Sequence, residues 1–274
     1  MAQEIRNSTH EDLRPTEELV RLAIAEDDED ARWNLIGTLQ LRGTREVLDA
    51  AASLIRSTNI RERQAGVDIL AQLGAGEQPF AEDRFNLLAE ALSKETDADV
   101  LQAIAIAFGH LRDPRCIDLV LPLASHPDCD VRYGVVHSLS GLNDPRAIAA
   151  LINLSADEDE DIRDWATFGL GTLTEVDTPE LREALCSRLA DGCLDARAEA
   201  IAGLARRKDL RALEPVLEEL SLESVDELAI EAAEELADLR LLHALLALKD
   251  RWSVERDGEI IYLEKAIAAC TPQG

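Results

Sequence analysis

The sequence predicts an all-α solenoid, a superhelix of about seven helix pairs. Three observations carry this: one helical template recurs seven times, strand-like alternation is missing, and aromatic residues make up only 3% of 274 residues. Zero is set at the start of the second (B) helix of each unit, at Asp30, Arg61, Asp99, Asp130, Asp161, Asp195 and Glu227, which are 31 to 38 residues apart. Nine positions on stand Leu39, Leu70, Phe108, Leu139, Leu170, Leu204 and Leu236, all apolar. Five positions on stand Leu35, Gly66, Ile104, Val135, Ala166, Ala200 and Ala232, all apolar or small. Twelve on, Leu73, Leu111, Leu142, Leu173 and Leu239 hold the pattern, whereas Arg42 and Arg207 break it. At ~100° per residue, offsets +1, +5, +8, +9 and +12 share one arc, so each window reads as an amphipathic helix. A recurrent unit of this length marks a stacked architecture in which each unit buries its apolar face only on its neighbours.

Element by element, residues 1–28 form an N-terminal capping segment with one helix near 15–25, residues 29–251 the repeats, and 252–274 a C-terminal cap with an amphipathic helix over 257–270. Asp30, Asp99, Asp130, Asp161 and Asp195 are expected at N-cap positions, accepting first-turn amides and meeting the helix dipole. Arg32, Arg63, Arg132, Arg163 and Arg197 follow at +2, on the flank of the apolar arc. An Arg there can bridge to the Asp of a neighbouring unit, so Asp130, Arg132, Asp161, Arg163, Asp195 and Arg197 read as rungs of a structural ladder. The turns Arg112-Asp-Pro-Arg115, Asn143-Asp-Pro-Arg146 and Asp177-Thr-Pro-Glu180 place Pro in the first turn of the next (A) helix, where its missing N–H costs nothing. The A helices then run over about 115–125, 145–155, 179–190, 209–220 and 239–251. A longer connection over 74–79 accounts for the widest spacing.

The formal net charge is -27, from 55 acidic against 28 basic residues. Phosphate binding requires a basic stripe, so a nucleic-acid partner is disfavoured. Acid is concentrated just before B helices, in Glu26-Asp-Asp-Glu-Asp30 and in Asp157, Glu158, Asp159, Glu160 and Asp161. Such a rim either solvates loops and meets helix dipoles or steers a basic protein partner towards the solenoid.

The sequence contains no G-x-S-x-G, phosphate-binding loop, dinucleotide fingerprint or H-E-x-x-H. The acidic run 157–161 opens like a calcium loop, but Ile162 stands where glycine is needed and Phe168 where a bidentate Glu is needed, so no metal and no cofactor is expected. The five histidines form no ligand cluster, and His10-Glu11 is the one His-Glu dipeptide. Five cysteines, odd in number and without a CxxC pair, together with the missing signal sequence and membrane span, point to a reducing cytoplasm.

What remains is a surface. Offsets +3, +4, +7 and +11 of the B helices face away from the core arc and line the expected concave side. This stripe holds Trp33, Tyr133, His137, Asp164, Trp165 and Phe168. In a chain so poor in aromatics, these rings either pack between B helices or anchor a partner.

The template is that of HEAT-type helical repeats. The spellings Asn143-Asp-Pro-Arg-Ala, Asp161-Ile-Arg-Asp-Trp-Ala-Thr-Phe168, Arg197-Ala-Glu-Ala-Ile-Ala-Gly-Leu204 and Glu231-Ala-Ala-Glu-Glu-Leu236 resemble more closely the bacterial YibA-type HEAT-repeat proteins, over about residues 30–250. The resemblance implies a cytoplasmic immunity protein that neutralises a toxin by binding it. With the acidic balance, the expectation is a non-enzymatic binder of a basic toxin domain, with a general scaffold or adaptor as the runner-up. An enzyme using the concave face comes third. The pattern also resembles HEAT-repeat bilin lyases, which bears on fold and not on activity.

Overall fold

The computed structural model describes residues 12–252 and 260–272. His10-Glu11 and the first three residues of the helix expected over 257–270 lie outside the described residues. Among the described residues there are sixteen α-helices and no strand. They divide into two compact units, 1–139 and 140–274.

Unit 1 contains four helix pairs: α1 (Thr16–Ala25) with α2 (Glu29–Arg42), α3 (Arg45–Leu54) with α4 (Ile60–Ala71), α5 (Ala81–Leu92) with α6 (Ala98–Leu111), and α7 (Ile117–Val120) with α8 (Cys129–Leu139). Unit 2 contains α9 (Pro145–Leu154) with α10 (Glu160–Gly171), α11 (Pro179–Arg188) with α12 (Leu194–Arg206), α13 (Leu213–Ser221) with α14 (Glu227–Leu236), and α15 (Leu242–Arg251) with α16 (Ile260–Cys270). Within each unit the even-numbered B helices pack side by side. The A helix expected over 115–125 is broken into a 3-10 turn, the short α7 and a second 3-10 stretch over Leu121–Ser125. Pro122 supplies the break, because it lacks the amide that α7 would need in order to continue.

The apolar template marks the core at +9, where all seven side chains are buried, and at +5, where all but Leu35 are buried. It fails at +12. Of the five leucines there only Leu73 is fully buried, while Leu173 and Leu239 are exposed. Four of these five lie past the end of their helix, so the helical arc no longer applies to them. The arginines that break the pattern do other work. Arg42 donates to the carbonyls of Asp12 and Arg14, tying the residues just before α1 to the end of α2. Arg207 donates to the carbonyls of Leu170, Gly171, Thr174, Val176 and Gly203, gathering the end of α10, the following turn and the end of its own helix α12. In unit 1 the fully buried Arg84 likewise donates to the carbonyls of Leu70, Ala71 and Leu73. Arg84 and Arg207 satisfy helix-end carbonyls that would otherwise lack donors.

The N-caps stand two residues before the expected positions. Asp28, Asp97 and Asp159 accept the first-turn amides of α2, α6 and α10, and Asp128 accepts from the amide of Asp130. Asp30, Asp99, Asp130 and Asp161 are first-turn residues, and the N-cap of α12 is Cys193, which offers no side-chain cap, so Asp195 is not a cap either. The ladder also has different acids. Arg63 pairs with Glu95 and Arg163 with Asp191, acids that lie two residues before the N-cap position of the next B helix, α6 and α12 respectively. Each of these carboxylates also accepts the amide of that N-cap residue, so one acid shapes its turn and ties two repeats. Arg132 and Arg163 further donate to the carbonyls of their own turns, at His126 and Pro127 and at Asp157 and Glu158. Arg197 reaches the Asp191 carbonyl and Glu219.

Small residues set the helix spacing. A Cβ on Gly203 of α12 would stand 2.6 Å from the Cα of Gly171 in α10, so these two backbones meet without side chains between them.

Candidate functional site

The outward B-helix stripe differs between the units. In unit 1 it is filled by the chain's own contacts. Trp33, 43% exposed, has the Arg32 guanidinium 5.4 Å from its ring centre, and Arg32 also pairs with the buried Asp68. Burial raises Asp68 to about 6 even with Arg32 beside it. His137 packs edge-on against His110 at 5.1 Å and stands over Gly109, where a Cβ would meet its Nδ1 at 2.3 Å. Burial holds both imidazoles below their ordinary range, so His137 belongs to the packing of α6 against α8. Tyr133 is half-buried.

In unit 2 the stripe opens into a cavity of about 290 Å³ lined by Asp164, Trp165, Phe168, Asp195, Ala198, Glu199, Asp226 and Leu228. Three B helices form it. From α10 come Asp164, Trp165 and Phe168, which fall on one face at i, i+1 and i+4. From α12 come Asp195 and Glu199, one turn apart, and from the start of α14 come its N-cap Asp226 and Leu228. Trp165 is 43% exposed and meets Phe168 edge to face, centroids 5.8 Å apart and planes at 89°. That is a favoured arrangement for two rings.

The electrostatics are one-sided. Burial raises the Asp164 carboxyl to about 6, helped by the negative charges of Asp195, Glu199 and Asp161. Among the described residues no basic side chain lies within ion-pair distance of Asp164. Burial also raises Glu199, opposed by a hydrogen bond from the Thr172 hydroxyl at 2.8 Å and by Arg206. Arg206 itself is committed to Thr172 Oγ1 and to Glu231. The cavity thus combines an aromatic wall with a half-buried carboxylate that lacks a counter-ion.

The acidic rim is partly architectural. Asp157 accepts the amide of Asp159, and Asp159 caps α10 through the amides of Asp161 and Ile162. Glu158 and Glu160 are exposed. Sequence reasoning placed Trp165, Phe168 and Asp164 on one surface, and the structure brings them together. It missed Asp195 and Asp226 as wall residues because they come from the starts of other helices. The signal available was that acids recur near each B-helix start.

Residues 85–171 match the family model described as HEAT repeats. The fold is a HEAT-type α-solenoid. "Protein YibA" of Escherichia coli strain K12 is 36% identical over 98 residues, 36% of this chain and 34% of that protein, so the match spans about a third of its length. Protein YibA of the O157:H7 strain aligns to the same extent. The X-ray structure of Escherichia coli YibA superposes with a TM-score of 0.77 at 25% identity, covering 96% of this chain and 94% of that one. Importin beta shares the fold more distantly, with a TM-score of 0.51 at 16% identity over 93% of this chain and 41% of that chain. Among the described residues no helix is long and apolar enough to cross a membrane.

Proposed function

We propose that this solenoid is a non-enzymatic protein-binding module, an immunity protein that neutralises a basic toxin domain by occupying it with the B-helix face of unit 2. The observation that carries the reading is the cavity around Trp165. An exposed indole ringed by carboxylates offers a partner both an apolar anchor and charge complementarity, the composition favoured at interface hot spots. The charge of -27 supports the same choice of partner, since a basic domain would be drawn to this surface from a distance. The toxin role rests on the resemblance to YibA-type proteins, and the acidic cavity offers a physical route to it: a polyanionic surface can compete with phosphate for the basic site of a nuclease. The test is to ask whether a toxin domain is encoded beside this gene and, where one is, to co-express the two. Restored growth together with a purified complex is expected. Growth arrest that persists, with no complex, would exclude the immunity role, and a complex without rescue would favour an adaptor.

A further inference from the structure

The contact between His110 and His137 in unit 1 takes no part in the proposed binding role. We infer that it is a pH-sensitive latch: while both imidazoles are neutral it closes the end of α6 onto the end of α8, and a proton on either ring releases it. Three observations lead there.

The first is how closely the two helices approach. A Cβ on Gly134 of α8 would stand 2.9 Å from the Ala105 Cβ and 3.0 Å from the Gln102 carbonyl oxygen of α6. Towards the helix C-termini the roles reverse. Gly109 of α6 makes room for the His137 ring, whose Nδ1 would lie 2.3 Å from a Cβ there. His110, the next residue, meets the same ring edge-on with centroids 5.1 Å apart. The rings cannot part without separating α6 from α8.

The second is where a proton would go. His137 Nδ1 is buried and has no hydrogen-bond partner. In a neutral ring carrying its proton on Nε2, this nitrogen is a bare lone pair. Protonation turns it into a charged N–H that faces the Gly109 backbone without an acceptor, and a buried charge left unpaired is costly.

The third is the charge around the pair. The charged groups that bear on it are Arg84 on α5 and Arg112 just past the end of α6, both cations. Among the described residues no carboxylate bears on either ring. Burial, then His137, Arg84 and Arg112, hold His110 below its ordinary range, and burial holds His137 there as well. Gln78 ties this end of α6 to the preceding repeat. Its Nε2 donates to the His110 carbonyl at 3.0 Å, and its Oε1 accepts from Arg84 at 2.7 Å. Opened rings take up protons as pH falls through 6.5, the ordinary value, while packed rings resist. The latch is therefore at full strength above that pH and weakens below it. Asp68 on α4, raised by burial to about 6, works in the opposite sense, since its penalty fades as pH falls, so it cannot imitate the latch.

The experiment follows amide hydrogen exchange of the full chain from about pH 7.5 to about pH 5, corrected for the intrinsic pH dependence of exchange, together with the imidazole C–H signals by NMR. Opening of α6 and α8 is expected to become easier by up to about tenfold per pH unit for each imidazole that excludes its proton, ahead of α2 and α4, and to reverse when the pH is restored. His137→Phe, which keeps a ring over Gly109, should flatten this dependence. The exposed His243, replaced by Gln, should leave it as in the parent. Circular dichroism checks that each variant is folded, and where His137→Phe is not, the parent's own titration and exchange decide. An imidazole of the pair that titrates at or above about 6.5, opening of α6 and α8 that is no easier at low pH, loosening shared equally by α2 and α4, or a pH dependence that survives His137→Phe would each overturn the latch.

Discussion

Restoring the repeat consensus at position 207 should destabilise this protein. In repeat proteins, substitution towards the consensus usually stabilises, because each unit's stability adds to the total. Leucine occupies +12 in five of the seven repeats, so pattern alone predicts a gain from Arg207→Leu. The structure predicts a loss. Five backbone carbonyls accept from this guanidinium, at Leu170, Gly171, Thr174, Val176 and Gly203. A hydrogen bond to a charged group contributes ~1.5–3 kcal/mol when fully counted, but Arg207 is half-buried and water can replace part of the set, so the expected net cost is about 2–4 kcal/mol. A leucine at this position recovers little, since Leu173 and Leu239 at the same offset are exposed. In a chain of this size the cost corresponds to a fall in melting temperature of roughly 5–15 °C. Urea and thermal melts followed by circular dichroism read it directly, with Arg207→Lys expected between the two. A leucine variant at least as stable as the parent would refute the claim that Arg207 holds the end of α10.

Three further outcomes follow from the same geometry. Gly203→Ala should cost about 1–3 kcal/mol in urea melts, because its Cβ would press on the Gly171 backbone and α10 and α12 cannot separate without loosening their core. Asp164→Asn should stabilise the protein at pH 7–8 by about 1 kcal/mol after allowing for solvent screening of a half-buried group. The sign follows from a folded-state pKa raised to about 6: the ionised carboxylate is unfavourable above that pH, the penalty fades as pH falls through 6, and parent and variant should melt alike near pH 4. Replacing Glu158 and Glu160 with Gln should slow association with a basic toxin domain and flatten its salt dependence. Equal slowing when salt is already high would show that these acids act by contact and not by steering.

The fold was legible because its strongest signal is repeated. The buried +9 residues, Leu39 through Leu236, set the register of seven helices without reference to any neighbour. The caps were legible only to within two residues. Pairs such as Asp28 and Asp30, Asp97 and Asp99, and Asp159 and Asp161 put an acid at both candidate positions, and periodicity cannot tell which carboxylate meets the first-turn amides. The roles of Arg42, Arg84 and Arg207 were not legible, because they act mainly on backbone carbonyls, with only the neutral Thr16 and Gln78 as side-chain partners of Arg42 and Arg84. At the site, Trp165 and Phe168 were placed by helical spacing alone. Where Arg32 and Arg163 turn, toward Asp68 and Asp191, was not legible, because the sequence offers them similar choices.

The central claim is that the B-helix face of unit 2 binds a protein partner. Hydrogen–deuterium exchange of the full chain, alone and saturated with the basic toxin domain, tests it most directly. New protection is expected over 160–171, 194–206 and 227–236, centred on Trp165, with the A helices over 179–188 and 213–221 unchanged. Protection confined to those A helices, or spread over unit 1 with unit 2 untouched, would contradict it.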